Sequence, residues 1–412
     1  MAALSIALAA AALLGWARVL WLGARTRRAL LRLEAGSAVG GVTAVVPCRN
    51  EERCVEAAVS SLLAQDLPGV RVIAVDDRST DATGAILDRL AARDSRLEVI
   101  HVSALPPGWL GKNHACAVGA ARARTEWLLF TDGDVVFAPD AIRRAAALAE
   151  DVGLGHLAVL PRFVAPGFAE RAFVTAFASL LGPVARIWEL SSPGTRGAFG
   201  VGAFNLVRRA DYEAVGGHAR IAMEMVDDLK LGLLLRRSGV PQGVADSEGR
   251  VAVRWQNGFV ASALGLVKNA FAALEYRIGL ALAAGALGAF AALAPLLLAL
   301  LAPSPAARAL GAAALALSVL HHATWARRLA RGSGAEGILL PPCLLLLSAV
   351  VLGSAALARW RGRVVWRGTA YRLEEVRAGC LRIADLPASG AAGWPSRGSR
   401  AEPATRVTER SA

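Results

Sequence analysis

Apolar positions in this chain follow two regimes. From Met1 to about Leu22, and again after Arg277, they run almost unbroken; between these limits they come in short bursts separated by polar stretches. The first run is long enough to cross a bilayer as a helix. Arg25, Arg27, Arg28 and Arg32 come directly after it. A cleaved leader carries its positive charge before the apolar run, so the pattern predicts a retained anchor over residues 1–24. The arginines then hold the next segment on the cytosolic side.

From about Gly41 the bursts alternate in kind. Val42–Pro47, Val70–Val75, Leu97–His101 and Trp127–Thr131 are short runs, apolar throughout and rich in β-branched or aromatic residues. Arg53–Gln65 and Thr80–Arg93 have helical spacing. Strands apolar on both faces, alternating with helices, predict a doubly wound, mostly parallel α/β sheet covered on both sides. Residues 41–255 form this domain. Phe168–Leu190 and Phe259–Tyr276 are apolar with charges at their ends or interrupting them. Each fits a core helix or an amphipathic helix on the membrane surface equally well, and residues 256–277 are assigned to the second kind.

Three further apolar stretches, Ile278–Leu301, Leu310–Ala326 and Ile338–Ala358, make 278–358 a membrane region. Arg327, Arg328 and Arg331 come after the second; Arg359, Arg361, Arg363 and Arg367 come after the third. Three crossings would put the last arginines outside, against the positive-inside tendency. One stretch is therefore expected to be re-entrant or interfacial. Residues 359–412 form a basic tail, disordered from about Pro387 on its Gly, Ser, Pro and Arg content.

The net charge of +13 rests on arginine; Lys112, Lys230 and Lys268 are the only lysines. Arginines beside apolar segments point to lipid headgroups, and no aromatic-basic motif supports nucleic-acid binding. The five cysteines form no CxxC pair and suggest neither zinc nor a disulfide framework.

Candidate chemistry sits at strand ends, where open parallel sheets bind ligands. Val46-Pro47-Cys48-Arg49-Asn50-Glu51-Glu52 closes the first strand; a plain turn, with Asn50 as cap and the acids favoured by the helix dipole, explains it as well. Val75-Asp76-Asp77-Arg78-Ser79-Thr80-Asp81 runs a buried strand into two carboxylates, a cost best explained by a donor-rich ligand or a metal. Phe130-Thr131-Asp132-Gly133-Asp134 spaces two carboxylates around a glycine, so that both can face one Mg²⁺ or Mn²⁺. Three such ends in succession describe a nucleotide-diphospho-sugar site.

These residues resemble glycosyltransferase family 2, whose P-x-x-N-E, V-D-D-x-S-x-D and D-x-D signatures occur in this order from about Val42 to Arg254. The resemblance implies a GT-A fold. It implies that Pro47, Arg49, Glu51 and Asp77 line the nucleoside pocket, and that Asp132 and Asp134 hold the donor and its divalent metal. Pro106-Pro107-Gly108-Trp109-Leu110-Gly111-Lys112 resembles a stretch of membrane members associated with hopanoid, carotenoid and related lipid glycosylation. Lys112, a rare lysine here, suits a diphosphate, and His114 beside it is expected to be structural. Val226-Asp227-Asp228-Leu229-Lys230-Leu231-Gly232 resembles the family's E-D-x-x-L-G segment, with Asp227 in the Glu position. The resemblance makes Asp228 the base that takes the acceptor's proton, with Asp227 beside it. Gly197–Leu206 resembles the glycine-rich segment near the donor sugar.

Processive members carry Q-x-x-R-W. Here Arg254 and Trp255 remain, and the Gln is absent. Arg254 and Trp255 are kept as substrate-binding residues, and the departure favours single transfer to a lipid over a polysaccharide synthase. Trp366-Arg367-Gly368-Thr369-Ala370-Tyr371 resembles the tail of the lipid-related subgroup. The expectation is an inverting, metal-assisted transferase with a nucleotide-sugar donor, a UDP-sugar by the family resemblance, and a lipid acceptor. It sits in the plasma (inner) membrane with several passes and its catalytic domain in the cytosol. The rival readings are a processive synthase, a silent nucleotide-sugar-binding scaffold and a transporter. The scarcity of ionisable residues within the apolar spans disfavours the last.

Overall fold

A computed structural model describes residues 2–34, 36, 40–190, 192 and 194–382. The disorder expected from Pro387 onward lies outside the described residues.

In chain order the strands are β1 Leu31–Arg32, β2 Val42–Cys48, β3 Val70–Asp77, β4 Leu97–Val102, β5 Trp127–Phe130, β6 Val135–Phe137, β7 His156–Leu160, β8 Arg162–Phe163, β9 Asn205–Arg208, β10 Gln242–Asp246, β11 Val251–Val253, β12 Arg363–Trp366 and β13 Thr369–Arg372. The helices are α1 Ala2–Ala29, α2 Val55–Leu63, α3 Thr83–Ala91, α4 Gly111–Arg122, α5 Ala141–Asp151, α6 Phe168–Ala185, α7 Arg209–Ala214, α8 Asp227–Arg237, α9 Phe259–Ala273, α10 Ile278–Leu301, α11 Pro305–Ala330, α12 Leu340–Arg361 and α13 Leu373–Ala378.

The main sheet has eight strands in the order β1-β10-β7-β9-β5-β2-β3-β4. Pairing is parallel except around β9, which runs antiparallel to both β5 and β7. Every residue of β2 is buried, as the unbroken apolar run required. Alternate side chains feed two cores. Val42, Ala44 and Val46 join Val70, Val72 and Ala74 on the face covered by α2, α3 and α5. Val45, Ile73 and Val75 face α4 and α8. A second sheet, β6-β11-β8, flanks the first.

Five helices among the described residues are long and apolar enough to cross a membrane: Ala2–Ala29, Phe168–Glu189, Ile278–Leu301, Pro305–Ala330 and Ala335–Arg361. They share one apolar cluster that includes Trp16, Phe173, Leu266, Ala292, Ala314 and Leu344. Helices α1 and α11 run parallel. Ala9 packs with Ala302 and Ala307 at one end, and Arg27 donates to Thr324 Oγ1 at 3.4 Å near the other. The far end of α11 docks on the α/β domain through Arg328 and Asp246, 2.5 Å apart.

The last apolar stretch does not reverse the sense of α11. The 3-10 turn Ala335–Leu339 folds back along α11, with Gly337 close against the Val319 carbonyl. Helix α12 then pairs antiparallel with α10: Gly285 meets Leu352, Gly288 meets Ser348, and Ala281 clusters with Ala355 and Ala358. So α11 and α12 both run toward the α/β domain. Helix α6 also has both ends on the domain: Arg171 donates to the Ala165 carbonyl, and Ala198 N–H to the Ala185 carbonyl at 3.2 Å.

Candidate active site

The ends of β2 and β3 are stitched together by side chains. Asn50 adopts a left-handed conformation, φ 55°. Its Oδ1 accepts from Thr80 N–H at 2.8 Å, while its own N–H donates to Ser79 Oγ at 3.0 Å. Glu51 N–H donates to Thr83 Oγ1 at 2.7 Å. Asn50 is therefore a cross-strand tie more than a helix cap. The adjacent carboxylates at the β3 end are separately compensated. Asp76 accepts from Ser79 N–H and lies 3.0 Å from His101 Nδ1. Asp77 receives Arg78 at 2.8 Å and Arg49 at 3.5 Å. This leaves Arg49, Asp77 and Glu51 on one wall.

Lys112 enters from the first turn of α4. That turn can approach β3 because residue 111 is glycine; a Cβ there would run into the Asp77 carboxylate. The Lys112 ammonium bridges an acid just past the end of β5 and one at the start of α8, 2.8 Å from Asp132 Oδ1 and 3.2 Å from Asp227 Oδ2. Burial opposes its charge, but Asp132, Asp227 and Asp228 outweigh burial and hold the ammonium firmly protonated. Burial likewise pulls Asp132 upward, and Lys112 reverses this to leave it below the usual carboxylate range. Asp134 is different. Burial, then Asp132, then Glu51 push its carboxyl up to about 7.

Asp227 and Asp228 open α8, where the helix N-terminus favours acids. Asp228 Oδ2 accepts from Gly202 N–H at 2.8 Å, and its Oδ1 from Leu229 N–H at 2.8 Å. Burial and then Asp227 raise its pKa to about 6. The glycine-rich segment makes room for these acids: a Cβ on Gly202 would lie 2.5 Å from Asp132 Oδ2. Pro47, Lys112, Thr131, Asp132, Gly202, Asn205, Asp227 and Asp228 line one cleft.

Two expected residues lie elsewhere. Arg254 is exposed, with no ion pair among the described residues. Trp255 stacks on Phe177 of α6, ring centroids 5.5 Å apart, and belongs to the apolar cluster. The cation that does reach the acids comes from the C-terminal hairpin: Arg367 Nη2 lies 2.8 Å from Glu51 Oε1. The Trp366–Tyr371 motif stands out in the sequence, but nothing in its pattern gives Arg367 a role. His114 packs edge-on to Trp109, as a structural residue would.

For a divalent cation, two sets of donors merit comparison. Cys116, His218 and Asp227 bring ligand atoms within 4.8 Å of one another. However, burial holds the Cys116 thiol well above its ordinary pKa, so it resists becoming a thiolate ligand, and His218 Nδ1 is engaged by the Tyr212 hydroxyl at 2.9 Å. Asp132, Asp134 and Glu51 are hard oxygen donors, and Asp134 is charged only against its burial and the repulsion of the other two. That chemistry fits Mg²⁺ or Mn²⁺.

Residues 43–216 match the family model described as Glycosyl transferase family 2. A 4,4'-diaponeurosporenoate glycosyltransferase of Staphylococcus aureus (strain MRSA252) is 30% identical over 234 residues, 55% of this chain and 60% of the relative. Its counterpart in strain USA300 is 29% identical over the same shares. This chain thus spans about three fifths of the length of the curated relatives it matches. Among solved structures, a mannosyltransferase from Pyrobaculum calidifontis in complex with GDP-Man and Mn²⁺ aligns with TM-score 0.52 at 20% identity. The alignment covers 87% of this chain and 98% of that one. The α/β domain therefore has the GT-A-like fold, with its acids at the strand ends that the fold uses for ligands. On the family match and the relatives together, residues 43–216 of this chain are similar to glycosyl transferase family 2.

Proposed function

We propose that this protein transfers one sugar, with inversion, from a nucleotide-diphospho-sugar to a lipid acceptor at the membrane. The observation that carries the reading is the Lys112 ammonium held between Asp132 and Asp227, with Asp228 adjoining, in a cleft on a domain docked against apolar helices.

The acceptor oxygen attacks the anomeric carbon from the face opposite the diphosphate. Where that oxygen is a hydroxyl, its proton passes to the Asp228 carboxylate, whose raised pKa makes it a competent base near neutral pH. The bond from the anomeric carbon to the diphosphate oxygen breaks, and its electron pair leaves with the diphosphate. Lys112 stabilises that developing charge. Pro47, Arg49, Glu51 and Asp77 form the nucleoside wall. Asp132 and Asp134 would hold a divalent ion, whose chemistry is to neutralise the diphosphate.

The relatives' acceptor, named as a carotenoid carboxylate, supports a long apolar acceptor here. The arginines ending α1, α11 and α12 all lie at the helix ends nearest the α/β domain, which supports a cytosolic domain at the plasma membrane. The sugar and nucleotide are tested directly. Full-length protein in detergent, given UDP- and GDP-sugars, Mg²⁺ or Mn²⁺ and a bacterial lipid extract, should add a single hexose to one lipid mass. A polymeric product would replace this reading with a synthase; no turnover with any donor would replace it with a scaffold.

A further inference from the structure

The hairpin β12–β13 returns from the membrane helices to the donor side of the α/β domain. Its turn places Arg367 at φ 43° and Gly368 at φ 80°. This is the mirror-image turn in which Asn-Gly is favoured. A long side chain in the left-handed region costs on the order of 1 kcal/mol. The position is thus unfavourable for arginine on local grounds, and the side chain's destination accounts for it. Besides the Glu51 pair, Arg367 Nη1 donates to the Arg49 carbonyl at 3.1 Å. Its charge also acts on Asp132 and Asp134. The same hairpin holds a second cation: Lys268 of α9 stands 4.2 Å from the centroid of the Trp366 ring. Thr369 accepts from Arg49 at 3.5 Å. The hairpin therefore touches the nucleoside wall and sets a guanidinium beside the acids that line the diphosphate position.

A purely structural role would need only one latch, and the Arg49–Thr369 contact already supplies it. Guanidinium carries five donors in a planar fork matched to phosphate oxygens. The two Arg367 contacts leave donors free beside a cleft already furnished with Lys112.

We propose that Arg367, carried on the C-terminal hairpin, is a donor-binding residue that grips the diphosphate and exchanges its resting contact with Glu51 for phosphate oxygens. This rests on the donor reading above. The test uses the full chain in lipid nanodiscs with Mg²⁺. Equilibrium binding of UDP and GDP is compared with that of uridine and guanosine. Arg367→Ala should weaken the bound diphosphate by roughly 10- to 100-fold, the range of charge-assisted hydrogen bonds, and leave nucleoside affinity unchanged. Arg367→Lys should keep part of the preference. The ratio of the two affinities is its own folding control, because both ligands need an intact pocket. Equal diphosphate affinity in Arg367→Ala and wild type overturns the proposal. So does a parallel loss for nucleoside and diphosphate, which would mark the hairpin as a wedge. Wild-type protein that binds neither diphosphate overturns the donor reading itself, and this proposal with it.

Discussion

Replacing Asp228 with Asn tests the proposed chemistry at a single atom pair. The carboxylate accepts two backbone hydrogen bonds, from Gly202 N–H and Leu229 N–H, both at 2.8 Å. Asn offers one carbonyl oxygen, so its amide must face one of those donors. An unsatisfied buried donor costs about 1–3 kcal/mol. An opposite contribution comes from charge. Asp228 is raised from 3.8 to about 6, so its ionised form withholds folding stability. That cost develops as pH rises from the unfolded value through the folded one, is complete above about 6, and is on the order of 2–3 kcal/mol. Asn removes it. The two terms nearly cancel, so Asp228→Asn should melt within a few degrees of wild type at neutral pH. Transfer should nevertheless fall by about 10²–10⁴, the usual contribution of a positioned base, while donor binding changes little. The assay is the single-turnover rate to lipid acceptor at saturating donor, paired with a melting curve. A folded variant whose rate stays within tenfold of wild type would refute the base assignment. It is also the behaviour expected if the acceptor arrives as a carboxylate and needs no base.

In wild type the same carboxylate should give an acid limb to the rate: transfer to a hydroxyl acceptor falls as pH drops through about 6, and a flat profile from pH 5 to 8 would contradict it. Lys112→Met leaves Asp132 and Asp227 without their shared cation. Breaking a buried pair costs about 3–5 kcal/mol, and the loss of melting temperature should shrink as acid protonates the orphaned carboxylates. Stripping metal with a chelator should stop transfer, with Mg²⁺ or Mn²⁺ restoring it. Asp134→Asn should need a higher metal concentration for the same rate. Gly202→Ala drives a methyl group to 2.5 Å from Asp132 Oδ2; at least a tenfold loss of rate with a preserved fold is expected.

The elements legible in the sequence are those whose signal is local. Val42–Cys48 and Val70–Asp77 read as doubly covered strands because burial on both faces erases alternation. The acids at 76, 77, 132 and 134 stood out because carboxylates ending an apolar strand have no packing rationale. The features hidden from sequence were long-range. Arg367 is 318 positions from Arg49, which it contacts, and nothing in the local pattern of a short hairpin says where its turn will land. Arg254 sits in a motif associated with binding, yet its side chain is exposed just past β11. The antiparallel insertion of β9 between β5 and β7 was equally hidden, since a four-residue strand carries no mark of its direction. The fold-back at Ala335–Leu339 was hidden too: the arginine placement said only that one of three apolar stretches is re-entrant or interfacial, and an apolar helix reads the same whichever way it runs.

The fold-back before α12 also sets an order of events in time. Residues of the β12–β13 hairpin leave the ribosome after all five long apolar helices, yet they complete the wall beside Glu51. The strands of the α/β domain's main sheet are all made much earlier, but its pocket gains Arg367 only once the apolar helices ahead of the hairpin have packed in the right sense. A chain arrested or misinserted before that point carries a folded domain with an unfinished pocket.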